Sequence, residues 1–400
     1  MTKIHDDSIF AELQFGAELL EAVKPADNSF ASGRLGHILY LAYTYKLTGN
    51  ETHFSMMMQY LQSVLSDCLV HKAETASGTA SNLALLCSVL QVLRKDKILT
   101  VNLSGPDIAV LDLMIFHTTS TFLNKNNTDL LFGAAGGIHY FLTRVHDNPA
   151  VVRYLKDLIS LLEKKAIRDE LGIRFYNSYT DKSRGNKYID TGVPHGQCGL
   201  LLVLLGVYEA GIARERVRAL CDGLICYLTN LRHAGRILSA EHSFYPQGID
   251  EYAGVVHAGN HIRYAHKPGW CYSDLTIALA FYKASHLLNL STLGMLADDI
   301  TQDYIRFGSK YLCNNFGIYD GASGLALIYG ALYKECKKEA FREAQRYWLS
   351  CTRKLMQPQL SGQPLTYDAA FLTGLPGALL TLTAEVKPEN TSWQKLLLLN

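Results

Sequence analysis

Three side chains in this chain are of types and in settings that could do chemistry: His195, Asp129 and Cys271. His195 precedes Gly196. With an ordinary pKa of about 6.5, its imidazole can hold or release a proton at neutral pH, or simply hydrogen-bond a loop carbonyl. Asp129 ends the run Asn126-Asn127-Thr128-Asp129 at a helix approach, where it can cap the helix, face a cavity, or do both. Cys271 follows Trp270 and reads either as a buried thiol or as a metal ligand. Asp129 and Asp320 also make a carboxylate pair of the kind that hydrolyses glycans. Tyr176, Tyr179, Tyr188 and Trp270 would then be the stacking residues.

These residues are separated by wide gaps along the chain, so a repeated scaffold must bring them together. Glycine pairs spaced three apart recur at Gly33/Gly36, Gly133/Gly136, Gly196/Gly199, Gly321/Gly324 and Gly374/Gly377, each followed by an apolar run. Degenerate copies begin at Gly78 and Ser273, which makes seven units. Glycine at a helix start lets backbone approach backbone and is expected to leave free N–H groups pointing out of the loop. Apolar residues three and four apart mark amphipathic helices over Ile9–Ala22, Phe54–Leu69, Val151–Lys164, Val217–Leu231, Leu293–Phe307 and Phe341–Met356. Each precedes a glycine-led, more uniformly apolar stretch. The spacing therefore predicts an all-α chain of helical hairpins, an amphipathic outer helix alternating with a buried inner one. Strand-like text is confined to ILSAEHSF and GIRFYNSY. Two irregular stretches, 171–194 and 232–270, lead into glycine units, where long loops tend to carry function.

Composition narrows the functional classes. Of 400 residues 48% are hydrophobic and 19% charged, and the net charge is +1, which gives no reason to expect nucleic-acid binding. No uninterrupted apolar stretch is long enough for a membrane span, and the N-terminus lacks a signal-peptide core, so a cytoplasmic protein is expected. The nine cysteines form no CxxC pair and read as buried thiols instead of a disulfide framework.

Four segments together resemble the lanthionine synthetase C-like family, the cyclases of class I lanthipeptide biosynthesis and their relatives: Thr128–Gly133 with AAG after it, Pro194-His195-Gly196 with QCG, Gly269-Trp270-Cys271-Tyr272, and Tyr319-Asp320-Gly321 with ASGLALIY. FLTGLPGALLTL is in the same style, and the resemblance runs from about residue 30 to residue 385. It implies an α,α-toroid, a double-layered barrel of about seven helical hairpins, as a single domain over 1–400. The implied reaction adds a cysteine thiol of a dehydrated ribosomal precursor peptide to dehydroalanine or dehydrobutyrine, giving thioether rings.

The resemblance assigns His195 as general acid and Asp129 as the pocket aspartate. Lys267, which stands where catalytic members carry Arg, and Tyr272, which follows the cysteine as in the family, complete the expected catalytic set. Trp270, Cys271, Tyr319 and Asp320 fall to substrate binding. Cys271 matches the first zinc ligand, but Tyr319-Asp320 stands where the family has Cys-His, so zinc is expected weakly or not at all, with Cys271 and Asp320 as its only candidate ligands in the matched motifs. His257, His261 or His266 offers a rewired alternative. Dehydration falls to partner proteins, with a dehydratase and a transporter as expected associates. The alternative reading is a non-catalytic, peptide-binding scaffold of a biosynthetic complex.

Overall fold

A computed structural model describes residues 2–23, 25, 27–70, 79–100, 105–184, 187–232, 243–251, 262–264, 268–307, 313–360, 369–385, 387 and 391–399. Along the chain run α1 (Thr2–Ala22), α2 (Arg34–Thr48), α3 (Glu51–Val70), α4 (Thr79–Lys95), α5 (Pro106–Asn124), α6 (Ala134–Leu142) and α7 (Pro149–Glu163). Next come β1 (Ile167–Asp169), β2 (Gly172–Arg174), α8 (Ser178–Arg184), β3 (Tyr188–Asp190), α9 (Gln197–Glu209) and α10 (Arg214–Leu231). They are followed by β4 (Gly248–Asp250), β5 (Ile262–Arg263), α11 (Asp274–Leu288), α12 (Ser291–Phe307), α13 (Ala322–Cys336), α14 (Glu339–Leu360) and α15 (Leu375–Leu382). The six amphipathic segments read from periodicity correspond to α1, α3, α7, α10, α12 and α14.

The chain divides into two compact units, Met1–Val101 with Cys313–Asn400, and Asn102–Leu312. In the first, α2 packs on α3 and α13 on α14, while the glycine-led helices neighbour one another in the order α4, α2, α15, α13. In the second, α9 packs on α10, α11 on α12 and α6 on α7, with α6, α9 and α11 in a row. The two helix types differ in burial as their text predicts. Every residue of α13 from Ala322 to Leu332 is buried, whereas α7 buries only Val151, Leu155, Leu158, Ile159 and Leu162, one stripe at helical spacing. Each such aliphatic side chain contributes roughly 1.5–3 kcal/mol of burial.

The glycine pairs owe their identity to space, not to backbone torsion. Gly33, Gly133, Gly196, Gly321 and Gly374 are helix N-caps with extended backbone and negative φ, a conformation open to any residue. A Cβ on Gly33, Gly133 or Gly321 would overlap the side-chain oxygen of Asp27, Asn127 or Asn315 six residues earlier, and one on Gly196 would overlap Asp190. A Cβ on the second glycine, at Gly36, Gly136, Gly199 or Gly377, would overlap the carbonyl oxygen of Phe30, Leu130, Val193 or Phe371, again six residues back. The Asx side chain folds the loop by accepting from the N–H two residues on: Ser29, Asp129, Gly192 or Gly317.

The N–H groups expected to be free are instead taken by the loop. Arg34, Ala134 and Ala322 donate to the carbonyls of Asp27, Asn127 and Asn315, and Cys198 donates to that of Thr191. The fifth unit manages without glycine because Ser273 caps α11 with its hydroxyl, accepting from Leu275 N–H at 3.1 Å. Gly78 lies outside the described residues.

The irregular stretches hold structure that periodicity could not show. β1 and β2 form a hairpin that lies against α10, and β3, β4 and β5 make an antiparallel sheet pairing Tyr188 with Asp250 and Gly248 with Arg263. The strand expected at GIRFYNSY is thus present as β2; most of ILSAEHSF lies outside the described residues. Asp274, in the first turn of α11, holds the segment before β4, accepting from Phe244 N–H (2.7 Å), Tyr245 N–H (3.0 Å) and the Tyr304 hydroxyl (3.1 Å). All nine cysteines are free. The expectation of uniformly buried thiols holds for Cys87, Cys198, Cys221 and Cys271 but not for Cys226, which is exposed. Among the described residues no helix is long and apolar enough to cross a membrane.

Candidate functional site

In the Asn102–Leu312 unit, three loops meet through hydrogen bonds to one carboxylate. The Asn127–Gly133 loop places Asp129 at its turn, fully buried. Its Oδ1 accepts from Leu131 N–H and Phe132 N–H, both at 2.9 Å. Its Oδ2 receives His195 Nδ1 at 2.6 Å and Asn177 Nδ2 at 3.1 Å. Asp129 therefore folds its own loop with one oxygen and holds His195 with the other, which answers the choice between capping and cavity roles.

His195 sits one residue before the first glycine of its unit, on a loop fastened to its neighbours. Pro194 carbonyl accepts from Leu130 N–H at 2.8 Å, and His195 carbonyl from Asn177 Nδ2 at 2.8 Å. Asn177 in turn caps α8, taking Tyr179 N–H on its Oδ1 at 3.1 Å. Tyr179, 41% exposed, stacks between two rings: Phe132 at 4.7 Å and 16°, and the His195 imidazole at 5.6 Å and 24°. The His195 side chain keeps 13% exposure, so the imidazole is packed but reachable.

An acceptor carboxylate at Nδ1 dictates the tautomer: Nδ1 carries the hydrogen and Nε2 is the working nitrogen. The four donors around Asp129 use its acceptor capacity, so it acts on chemistry through His195 and has no lone pair directed at a substrate. That also removes it from the glycan-hydrolysing pair with Asp320. In the same pair's proposed stacking set, Tyr188 and Trp270 are wholly buried.

A second connection joins this region to the Trp-Cys-Tyr segment. Val193 N–H donates to Cys271 carbonyl at 3.1 Å, and the Tyr272 hydroxyl donates to Asp190 Oδ2 at 2.6 Å. Asp190 is buried, and burial pushes its carboxyl up to about 6; the nearby His195, the Tyr272 hydroxyl and Gly192 N–H oppose that rise, and Asp129 adds to it. Asp190 and Asn177 carry no motif of their own. Asp190 could have been found from its place six residues before Gly196; Asn177 is marked only by standing ahead of the short helix α8.

The remaining expected residues fall as follows. Trp270 and Cys271 are both fully buried, and Tyr272 is half-buried. Lys267, His257, His261 and His266 lie outside the described residues. Tyr319 and Asp320 belong to the other unit, both half-buried. There Asp320 Oδ1 and carbonyl each accept from Asn315 Nδ2 at 3.1 Å, and Tyr319 N–H donates to Leu372 carbonyl at 2.9 Å. A zinc site needs about four thiolate, imidazole or carboxylate donors in a tetrahedron. Among the described residues no three of His, Cys, Asp and Glu converge to hold a metal ion, and one thiol with one carboxylate and a phenol is not such a set. These residues do not fit the metal.

Residues 24–398 match the family described as "Lanthionine synthetase C-like protein". Among thirteen matching chains of solved structures is one titled "Nisin cyclase", with a TM-score of 0.70 at 17% identity, covering 99% of this chain and 97% of that one. At this identity the likeness carries the fold, an α,α-toroid. No curated protein matches the sequence.

Proposed function

The chain belongs to the lanthionine synthetase C-like family, and within it we propose a cyclase that closes thioether rings in a dehydrated ribosomal precursor peptide. The observation that carries this reading is the His195–Asp129 hydrogen bond, 2.6 Å long and buttressed by Asn177. A packed but accessible imidazole with its Nδ1 hydrogen fixed on a carboxylate leaves Nε2 able to take a proton and give it back.

The chemistry balances with that one group. Nε2 accepts the proton of the peptide's cysteine thiol, and the sulfur attacks the β-carbon of dehydroalanine or dehydrobutyrine. The electron pair moves to the α-carbon as an enolate, and Nε2–H returns the proton there. The C=C π bond and the S–H bond are lost, a C–S and a C–H bond form, and nothing is oxidised or reduced. Asp129 stabilises the imidazolium between the two transfers. A free thiol has a pKa of about 8.5, so roughly 3% is already thiolate at pH 7.

Tyr319-Asp320 stands in the family's Cys-His position in this reading, and no step is routed through zinc. Lys267, at the position where catalytic members of the family carry Arg, is assigned the role of supplying positive charge to the enolate in this reading. The whole of 1–400 acts as one domain in the cytoplasm, with a dehydratase preparing the peptide and a transporter exporting it. Because addition leaves the mass unchanged, the test is thiol alkylation followed by mass spectrometry after incubation with a dehydrated precursor. Loss of alkylatable thiols that requires His195 is expected. Binding without thiol loss would make the protein a scaffold.

A further inference from the structure

The repeated loops allow one unit to be read against its sisters. In the loops opening α6 and α13, the Asx position is asparagine. Asn127 and Asn315 accept the N–H two residues on with Oδ1, at 3.2 and 3.0 Å, and donate Nδ2 to a carbonyl of their own loop, Phe132 at 2.8 Å and Asp320 at 3.1 Å. Each loop closes on itself. In the loop opening α2, Asp27 is exposed and its charge is solvated. Only the loop opening α9, among these four, buries a carboxylate at the Asx position: Asp190 is 1% exposed. Its Oδ1 accepts Gly192 N–H at 2.8 Å as its sisters do, but Oδ2 cannot donate and instead takes the hydroxyl of Tyr272, 82 positions away.

A buried carboxylate is costly where an amide would serve, so the departure from the repeat points to a task outside the loop. Backbone packing supports the same link. A Cβ on Gly192 would overlap Cys271 carbonyl and the Tyr272 ring, so this glycine exists to let the two segments touch. Asp190 also lies within electrostatic reach of His195 and Asp129.

We infer that Asp190 is a positioning residue for Tyr272, committing the phenolic hydrogen to its own carboxylate so that the Tyr272 oxygen meets the peptide substrate as a hydrogen-bond acceptor. Tyr272 then binds and orients the peptide through one of its N–H or S–H donors, and proton return to the α-carbon is left to His195. This rests on the cyclase reading and adds a division of labour to it.

The test uses the full chain and a synthetic peptide carrying one cysteine and one dehydroalanine, with Kd measured beside kcat and KM. Asp190→Asn keeps the loop, because asparagine is what the sister loops use, but its Nδ2 donates to the Tyr272 oxygen and turns the phenolic hydrogen outward. Tyr272→Phe removes the acceptor. Both are expected to raise KM and Kd about tenfold, the worth of one hydrogen bond, with kcat within about threefold of wild type, and the double variant no worse than Tyr272→Phe. Unchanged affinity in Asp190→Asn, additive losses in the double variant, or a collapse of kcat at constant KM in Tyr272→Phe would overturn the assignment. A wild type that binds the peptide without turnover overturns the cyclase reading alone, since Kd still decides the role of Asp190. A wild type that does not bind it overturns both.

Discussion

His195 Nδ1 lies 2.6 Å from Asp129 Oδ2 across 66 positions of chain, and Asn177 Nδ2 bridges the same carboxylate oxygen and the His195 carbonyl. A single amide therefore fixes the imidazole from both its ring partner and its backbone. His195→Asn is expected to lower kcat/KM for thiol addition by about 10²–10⁴, the range for losing a positioned acid–base group. Asp129→Asn presents a donor to Nδ1 and selects the wrong tautomer, so a loss of similar order is expected. Alkylation-quenched time courses on a dehydrated peptide measure both.

Asn177→Ala should act through position and fold together. It strips a hydrogen bond from Asp129 and from His195 carbonyl and uncaps α8, so unfolding free energy should fall by about 1–3 kcal/mol. Peptide turnover should fall further than in a surface variant of equal stability. Denaturant unfolding beside kinetics separates the two contributions.

Glycine identity in the repeat makes a steric prediction. Gly199→Ala drives a Cβ into Val193 carbonyl, a backbone atom that cannot swing aside. Unfolding free energy is expected to drop by 3 kcal/mol or more on the scale of about 1–3 kcal/mol for ordinary overpacking. Gly294→Ala, within α12, meets nothing closer than the Ser285 hydroxyl at 3.1 Å. It should be neutral or stabilising by up to about 1 kcal/mol, the helix preference of alanine over glycine. Equal losses in the two variants would refute the steric account.

Acid should favour the fold through Asp274, whose carboxyl is pushed up from 3.8 to about 6 chiefly by burial, against the pull of Phe244 N–H, Tyr245 N–H and the Tyr304 hydroxyl. A raised folded-state value means that the folded chain holds this proton where the unfolded chain releases it. The contribution is full below about pH 4 and is lost as pH rises through 6. Stability of wild type relative to Asp274→Asn should therefore shift in favour of wild type by roughly 3 kcal/mol on going from pH 7 to pH 4, at about 1.4 kcal/mol per pH unit of displacement. Asp190 moves in the same direction, so the double replacement should flatten the profile further. Urea unfolding at several pH values measures the slope.

Metal content gives a prediction that needs no activity. With one thiol and one carboxylate as donors in the matched segments, purified protein should carry well under one zinc per chain by elemental analysis. A chelator should leave the rate of thiol loss unchanged. One equivalent of zinc surviving dialysis would show that other residues supply the missing ligands.

The helical frame was legible because it is written in two independent signals, glycine pairs and three–four periodicity, which coincide at the units opening α2, α9, α13 and α15. α5 escaped: Val110 (58% exposed) and Leu113 (43% exposed) put apolar residues on its solvent face and blur the stripe. The Asx six residues before each glycine pair was equally visible and carried the steric logic of the loop. The site was only half legible. Asp129 and His195 sit in the repeat, where recognition could reach them. Asn177 and Asp190 act through partners 18 to 82 positions away, and no local pattern records such pairings.

The self-closing loop has an evolutionary corollary. Asx and two glycines set the fold, and the residue just before the first glycine enters it mainly through its backbone, as Phe132 and Asp320 do with their carbonyls, while its side chain varies as Ser32, Phe132, His195, Asp320 or Thr373 in different units. Each loop is an interchangeable socket. New chemistry can be installed in such a chain by one codon, while the frame around it stays as it was.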